Sequence, residues 1–295
     1  KHPQSVVICD VLDVSISIVS LIASKATGHK SVGIVTDVPT IRPKEENRTD
    51  NLIKKAIART NMYILSKFDA YVFLTDQMNE LINEDNKPYV VMEGHVDTNM
   101  ADIINLIENK YPLRTIMYTG ALKEVYGLKL LVDAFLAANL DDTELHLYGS
   151  GDFERELRSI CAENHNIKYF GTVPNETAVK AQMRATLLVN PRFTDGEYTK
   201  YSFPSKNMEY MVSGTPVLTT RLPGMPKEYY DYVYLIENET VDGLAQTLKM
   251  IWAKPAEELH QKGQEAKQFV LENKNNFVQA GRVFQMLQSI NSSEI

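Results

Sequence analysis

The sequence predicts an α/β protein built from two Rossmann-like domains, the first of them incomplete. Short apolar runs alternate with stretches of helical periodicity along most of the 295 residues, which is typical of a parallel sheet covered by helices on both faces. The alternation stops once, in a polar stretch at residues 94–112, and then restarts. A composition of 44% apolar and 23% charged residues is that of an ordinary globular protein, and the length suffices for two domains.

Residues 1–110 are predicted to form the first, partial domain. Its four expected strands are Val6–Cys9, Val32–Thr36, Ala70–Leu74 and Tyr89–Met92. Helices are expected near Ser15–Ala26, Asn47–Lys67 and Asp76–Glu84, with a further helical piece at Met100–Glu108. Four strands are few for a complete domain of this kind.

Residues 111–275 are predicted to form the second domain, and residues 276–295 a C-terminal helix that packs back on the first. The expected strands are Thr115–Tyr118, Glu144–Tyr148, Ile167–Phe170, Thr186–Asn190, Pro216–Thr220 and Val233–Ile236. The expected helices are Gly127–Leu136, Asp152–Glu163, Asn175–Met183, Pro204–Gly214, Val241–Ala253, Pro255–Glu272 and Phe277–Ser289. The last two are long and polar, and no strand follows them.

Charge and cysteine content argue against some functions and indicate a cellular compartment. A formal charge of −7 and a pI near 5.5 argue against broad nucleic-acid binding, which needs a basic face. Two cysteines, and no run approaching a membrane span, favour a cytoplasmic protein. The basic amphipathic stretch at residues 42–67 suits either a surface helix on the sheet or peripheral contact with the anionic inner membrane face.

The segment Ser202–Leu218 carries the strongest functional pattern. A proline followed by Ser205 predicts a helix start capped by the serine hydroxyl, and Gly214 predicts its end. The free N–H groups and dipole at such a start favour an anion, and Lys206 adds a positive charge. Glu209, one turn further in, is a suitable acceptor for sugar hydroxyls. Phosphate donors beside such a carboxylate indicate a nucleotide-sugar site.

Four turns follow strands of the second domain, where open α/β sheets bind ligands. They are Tyr118-Thr119-Gly120, Gly149-Ser150-Gly151, Gly171-Thr172-Val173-Pro174 and Asn190-Pro191-Arg192. Glycine lets a backbone approach a ligand closely but also serves simple turns, so each turn alone is weak. Their occurrence together with Ser202–Leu218 favours a binding site.

Several longer pieces resemble family 4 glycosyltransferases of the GT-B fold, in particular bacterial enzymes that build capsular or other cell-surface polysaccharides. The resemblance is strongest from Thr115 to Gly224. It rests on YTGALKEVYGLKLLVDAF, LHLYGSGDFERELR, IKYFGTVP and NPRFTDGEYTKYSFPSKNMEYMVSGTPVLTTRLPGMPKEY. The piece EGHVD, residues 93–97, is similar to the family's passage from the acceptor-side to the donor-side domain.

The resemblance implies that the second domain holds a nucleotide sugar, expected to be a UDP-sugar. The base would lie beside Gly171, Thr172 and Val173, the ribose on Glu209, and the diphosphate beside Ser205 and Lys206. The remaining residues expected at the donor are Gly120, Lys123, Gly149 and Arg192. Transfer in this family retains the anomeric configuration and needs no metal ion, so neither a metal nor a cofactor is expected.

Three residues are candidates for the catalytic region. The family usually has a second glutamate eight residues before the one at Glu209, and Tyr201 stands there. Its phenol either makes a hydrogen bond or simply packs. Glu197 lies four residues earlier and would need its loop to reach the sugar. Asp37 takes roughly the place of the acceptor-side catalytic residue, or serves as a helix cap or turn former.

Two further departures from the family pattern concern the positive charge that neutralises the diphosphate. Ala121 and Tyr126 stand where the family commonly has an arginine and a lysine, and the nearby Lys123 and Lys129 also suit solvated surface positions. The expected acceptor is a glycan or lipid-linked glycan. The alternatives are a non-catalytic nucleotide-sugar or partner-binding module, and a nucleotide-sugar epimerase, for which no acid and base can be assigned.

Overall fold

The computed structural model describes residues 5–38 and 52–292, which form two parallel sheets with helices around them. The first sheet contains β1 (Val6–Asp10), β2 (Lys30–Val35), β3 (Ala70–Phe73) and β4 (Tyr89–Val91), in that order. The helices of this half are α1 (Val14–Thr27), α2 (Leu52–Leu65) and α3 (Asp76–Ile82). Buried residues of β2 and β3 form its centre, because both strands are covered on two faces.

The second sheet has six parallel strands in the order β10-β9-β8-β5-β6-β7. They are β5 (Arg114–Thr119), β6 (Thr143–Tyr148), β7 (Ile167–Gly171), β8 (Leu187–Asn190), β9 (Val217–Thr220) and β10 (Tyr234–Ile236). Their helices are α4 (Leu128–Ala138), α5 (Glu154–Glu163), α6 (Asn175–Arg184), α7 (Ser205–Val212) and α8 (Val241–Trp252). This is the doubly wound Rossmann order, which reverses direction between β5 and β8.

Two long helices end the chain and return it to the first sheet. They are α9 (Ala256–Asn273), which packs beside α7, and α10 (Asn276–Ser292). Met286 and Ile290 of α10 are buried against Val32, Ala70 and Val72 of the first sheet. The amphipathic pattern of this helix therefore has its partner in the other half of the molecule.

Two segments connect the sheets, one after β4 and one between α9 and α10, and a buried ion pair holds them together. Lys274 Nζ lies 2.7 Å from Glu93 Oε1 and 2.6 Å from Glu228 Oε1, and the Glu93 side chain is only 2% exposed. Gln279 Nε2 donates to the other Glu93 oxygen at 3.1 Å and to the Gly94 carbonyl at 2.8 Å. The Glu93 carboxylate is thus fully paired, as a buried charge requires.

Some local expectations are wrong. The expected helix Met100–Glu108 is replaced by two short 3₁₀ turns, Thr98–Asp102 and Ile107–Asn109, separated by extended residues. Lys267 Nζ of α9 donates to the Ile103 carbonyl, and Asn105 Nδ2 donates to the Ser213 carbonyl at 2.8 Å, so the segment is anchored to α9 and to the end of α7.

The basic stretch at residues 42–67 is described only in part. Residues 39–51, with Arg42 and Arg48, lie outside the described residues, as do the side chains of residues 52–55. Among the helices that are described, none is long and apolar enough to cross a membrane.

Candidate active site

A cleft of about 410 Å³ opens at the carboxyl ends of β5, β6 and β7. It lies beside the point where the strand order of the second sheet reverses, which is where ligands bind in open α/β sheets. Three turns from separate strands and one face of α7 meet there. The lining residues are Thr119, Gly120, Ala121, Tyr148, Gly149, Ser150, Thr172, Val173, Asn175, Ala178, Lys206 and Glu209.

Gly120 and Gly149 are required by the close approach of the turns. Gly149 has φ +126°, and a Cβ there would lie 1.8 Å from the Gly120 carbonyl oxygen. Gly120 has φ +138°, and its Cβ would lie 2.0 Å from Cε of Lys206. At Gly149 both the backbone angle and the neighbouring backbone require glycine, whereas at Gly120 the positive φ favours glycine and the flexible end of Lys206 could move aside. The two glycines therefore let the lysine side chain lie directly over the backbone at the cleft floor.

Lys206 supplies positive charge at the start of α7. Its Nζ lies 5.8 Å from the ring centroid of Tyr118, whose hydroxyl donates to the Ala121 carbonyl at 2.9 Å. Burial lowers the pKa of Lys206, the nearby Arg192 guanidinium lowers it further, and Glu209 opposes both. An anionic ligand would stabilise this partly desolvated ammonium.

Glu209 is exposed to the cleft, and one of its oxygens is held from behind. Oε1 accepts a hydrogen bond of 2.6 Å from Nε2 of Gln182, which is fully buried on α6. The same Nε2 donates to Thr119 Oγ1 at 2.9 Å. The amide thus fixes the carboxylate relative to the end of β5 and leaves its second oxygen for a ligand hydroxyl.

Buried polar contacts fix α7 against the sheet ends. The Tyr210 hydroxyl accepts from Thr119 N at 2.9 Å and donates to Thr119 O at 3.0 Å. Asn207 accepts from Asn190 Nδ2 at 2.8 Å and donates to Thr219 Oγ1 at 3.2 Å. Because both residues are buried, losing either contact would leave unsatisfied groups, so the positions of Lys206 and Glu209 follow from this network.

Arg192 follows β8 and lies between two aromatic rings. Its Cζ is 5.4 Å from the ring centroid of Tyr126 and 5.1 Å from that of Tyr198. Its Nε is buried with no hydrogen-bond partner. These cation–π contacts hold the guanidinium, and within the described part of the chain it forms no ion pair with a carboxylate. Tyr126, one of the departures from the family pattern, is therefore part of an arginine clamp.

Six of the residues predicted at the donor line the cleft, and four do not. The lining ones are Gly120, Gly149, Thr172, Val173, Lys206 and Glu209. Gly171 immediately precedes Thr172, which lines the cleft, and the Gly171 carbonyl accepts a hydrogen bond from Gly149 N at 2.8 Å. Lys123 is exposed, and its Nζ lies over the Tyr126 ring. Arg192 is not part of the cleft lining and lies against the rings of Tyr126 and Tyr198. The predicted serine cap is wrong, because α7 begins at Ser205 itself and no side chain caps it.

The three predicted catalytic residues lie away from the cleft lining. Asp37 is exposed, and its Oδ1 accepts from the N–H of the next residue, Val38, at 2.8 Å. Glu197 is exposed at the start of the 3₁₀ helix Glu197–Tyr201. Tyr201 packs against the core of the first sheet, and burial, with Glu197 and Glu80, raises its pKa. Their catalytic roles remain predictions.

Sequence reasoning missed several residues that line or support the cleft. Gln182 gave a usable signal, because it is a polar residue on the apolar face of α6. Tyr148 gave none, since an aromatic residue at a strand end also suits a core. It stacks on Phe170 with centroids 4.5 Å apart and forms one wall. Within residues 5–38 and 52–292, no group of three or more His, Cys, Asp or Glu side chains is arranged to hold a metal ion.

Comparison with known proteins agrees with this geometry. The model of the family "Glycosyl transferases group 1" matches residues 113–254, which include every residue that lines the cleft. This region is a group 1 glycosyl transferase domain. No curated protein sequence matches the chain significantly.

Solved structures with the fold of the whole chain include several glycosyltransferases. Sucrose-phosphate synthase from Thermosynechococcus elongatus has a TM-score of 0.69 at 15% identity over 93% of this chain and 72% of its own. Anabaena HepE in complex with UDP has a TM-score of 0.72 at 14% identity, covering 94% and 77%. The pneumococcal O-GlcNAc transferase GtfA, in complex with UDP and GlcNAc, has a TM-score of 0.66 at 15% identity, covering 98% and 57%.

The predicted fold class is confirmed by these comparisons. The two parallel Rossmann-like sheets are those of the GT-B glycosyltransferases, and the resemblance stated from the sequence holds at the level of fold and of the glycosyltransferase domain. Residues 113–254 thus carry a glycosyltransferase domain, and the whole chain has the GT-B fold.

Proposed function

We propose that this glycosyltransferase uses a UDP-sugar and transfers the sugar with retention, without a metal ion, to a glycan or lipid-linked glycan of a cell-surface polysaccharide. One observation carries the proposal. Lys206 and Glu209, three residues apart on α7, face one cleft whose floor is built from the close-packed glycines Gly120 and Gly149. A cation and a hydroxyl acceptor at that spacing suit a diphosphate joined to a ribose.

The cleft suggests how the donor lies. The uracil would occupy the side bounded by Thr172 and Val173, the ribose hydroxyls would donate to Glu209, and the diphosphate would lie over Gly120 beside Lys206. The complexes of HepE with UDP and of GtfA with UDP and GlcNAc support a uridine nucleotide. The unpaired oxygen of Glu209 supports the ribose contact, because Gln182 already holds the other one.

The chemistry depends on meeting the charge of the departing diphosphate. The ammonium of Lys206, the guanidinium of Arg192 and the dipole of α7 provide fixed positive charge in a partly desolvated place, which lowers the barrier to bond cleavage. This arrangement supports transfer without a metal ion. Retention rests on the family resemblance.

The acceptor is proposed to bind between the two halves, with residues 1–110 as the acceptor side and 111–275 as the donor side. Exposed Ile57 and Tyr63 on α2 support peripheral contact of the first half with the inner membrane face. Sedimentation with vesicles of anionic and of neutral lipids would test this contact, which predicts binding to the anionic vesicles only.

The donor proposal is tested by measuring UDP binding and turnover on the same protein. UDP at a concentration of 100 Kd should add about 2.7 kcal/mol to the free energy of unfolding, and ADP should add less. UDP release from UDP-glucose, UDP-galactose and UDP-GlcNAc should continue in EDTA, and NMR of the product should show the donor's anomeric configuration. Absence of UDP binding would refute the donor site.

A non-catalytic binding module is the second candidate. It is favoured by Tyr201, which packs into the first sheet's core where the family usually has a second glutamate facing the sugar. UDP binding without release of UDP from any of these donors would support the module. Release stimulated by an added glycan acceptor would reject it.

A further inference from the structure

A second cavity lies at the opposite end of the second sheet from the donor cleft. It has a volume of about 150 Å³, and residues of the link between the two sheets form part of its lining. Arg114, one of its lining residues, begins β5, whose last residue Thr119 lines the donor cleft. The full lining is Ile107, Lys110, Tyr111, Arg114, Thr186, Pro216, Ala256, Leu259 and His260.

Three of these residues have basic side chains, and two of them, Lys110 and Arg114, have only uncharged hydrogen-bond partners. Lys110 Nζ donates to the Met183 carbonyl at 2.8 Å and to Thr215 Oγ1 at 3.1 Å, both uncharged. Arg114 Nη1 donates to the Trp252 carbonyl at 2.7 Å, and its Cζ lies 4.4 Å from the indole centroid. Within the described part of the chain, no carboxylate lies within 4.0 Å of either group.

Burial makes this uncompensated charge costly. It lowers the pKa of Lys110 to about 7 and also lowers that of Arg114. Burial and the neighbouring Lys110 lower the pKa of His260, against the opposing effect of Glu108. Such shifts mean that the charged forms lack solvation and counterions here, so an anion in the cavity would stabilise all three.

Buried polar nitrogen atoms without a hydrogen-bond partner accompany the charge. Nε and Nη2 of Arg114 are buried without a partner, and so is Nδ1 of His260. Native proteins leave few buried polar groups without a hydrogen-bond partner, so we expect a ligand or water to bind to these atoms. The helix α9 begins at Ala256 on the cavity wall, where no side-chain cap is present, and its dipole adds positive potential.

We propose that this cavity binds a small oxyanion of the size of phosphate or sulfate. Its volume corresponds to the share of about five water molecules, well below the roughly 300 Å³ at which sites for larger organic ligands begin. The bound anion would pair with Lys110 and Arg114 and tie the link between the sheets to α9. This site is separate from the donor cleft and does not depend on the proposed reaction.

Calorimetric titration with sodium sulfate tests the proposal, with sodium chloride at equal ionic strength as the blank. UDP is added so that the donor cleft does not compete, and Lys206→Gln, which weakens any anion binding there, is titrated in parallel. One sulfate should bind to the unaltered protein and to Lys206→Gln with similar affinity. Binding that disappears in Lys206→Gln would place the sulfate in the donor cleft and overturn the proposal.

Two variants at the cavity should weaken sulfate binding at least about tenfold. Lys110→Gln removes one charge. Ala256→Asp places a carboxylate at the cavity wall, and the fold should tolerate it because an acidic residue suits the first turn of a helix. The matched control Lys249→Gln removes an exposed charge from α8 and should bind normally. Unchanged binding in both cavity variants, or no sulfate binding by the unaltered protein, would refute the site.

Discussion

Replacing Glu209 by alanine is expected to weaken UDP binding strongly while the protein stays folded. The carboxylate is exposed to the cleft, so the fold does not depend on its burial. A hydrogen bond to a charged group contributes about 1.5–3 kcal/mol. Loss of a single ribose contact would therefore raise the UDP Kd roughly 10- to 150-fold, and loss of two contacts would raise it further.

The effect on stability should be small because of how Gln182 is held. Its Nε2 loses the 2.6 Å bond to Glu209 but keeps the 2.9 Å bond to Thr119 Oγ1. Water can enter the exposed space left by the carboxylate and accept the second hydrogen. We expect the free energy of unfolding to fall by less than about 1 kcal/mol.

Isothermal titration calorimetry and urea denaturation measure the two quantities separately. Glu209→Gln keeps one acceptor oxygen without the charge and should fall between the alanine variant and the unaltered protein. Glu176→Ala is the matched control, since it removes an exposed glutamate from α6 outside the cleft. A UDP Kd for Glu209→Ala within about threefold of the unaltered protein would refute the ribose role, because that change is below 1 kcal/mol.

Three further changes test the cleft and the junction between the sheets. Gly149→Ala should lower the free energy of unfolding by more than about 2 kcal/mol in urea, because its Cβ would lie 1.8 Å from the Gly120 carbonyl oxygen at φ +126°. Lys206→Gln should raise the UDP Kd about tenfold or more by calorimetry, since it removes the cation nearest the proposed diphosphate. Lys274→Met should cost about 3–5 kcal/mol in urea, because it leaves the 2% exposed Glu93 carboxylate without its 2.7 Å partner.

Each of these changes has a control within the chain. Gly281→Ala meets no atom within 4 Å and should leave stability equal or higher, so equal losses at Gly149 and Gly281 would contradict the packing argument. Lys123→Gln removes an exposed charge and should bind UDP nearly normally. Adding Glu93→Gln to Lys274→Met should recover part of the lost stability, and no recovery would show that the unpaired charge is not the cause.

Much of the fold was predictable because parallel sheets buried on both faces leave strong local signals. The six strands of the second sheet were all located from apolar runs, and their order along the chain indicated helices between them. The segment at residues 98–109 was not predictable, because its helical spacing of apolar residues is outweighed by contacts with α9, such as that of Lys267 with Ile103. Tertiary contacts of that kind override a weak local preference.

Some residues of the site could be predicted from local sequence patterns, and others only from their arrangement in space. Gly120, Lys206 and Glu209 could be named from sequence, because a glycine after a strand and charges in the first turns of a helix have local physical meaning. Gln182 could not be tied to Glu209, since 27 residues separate them and only the packing of α6 against α7 joins them. From the sequence, Tyr126 indicates only that the family's lysine is missing. The fold shows that Arg192 lies over the Tyr126 ring.

By itself, the sequence determined the α/β class, the doubly repeated βα order and the α7 segment with its lysine and carboxylate in the first turns, because each depends on residues close together along the chain. Only the tertiary structure decided which turns meet at the cleft, where Tyr201 packs, and that Lys110, Arg114 and His260 share a cavity. Those arrangements depend on strand order and helix packing between distant residues. Local periodicity carries no information about such contacts.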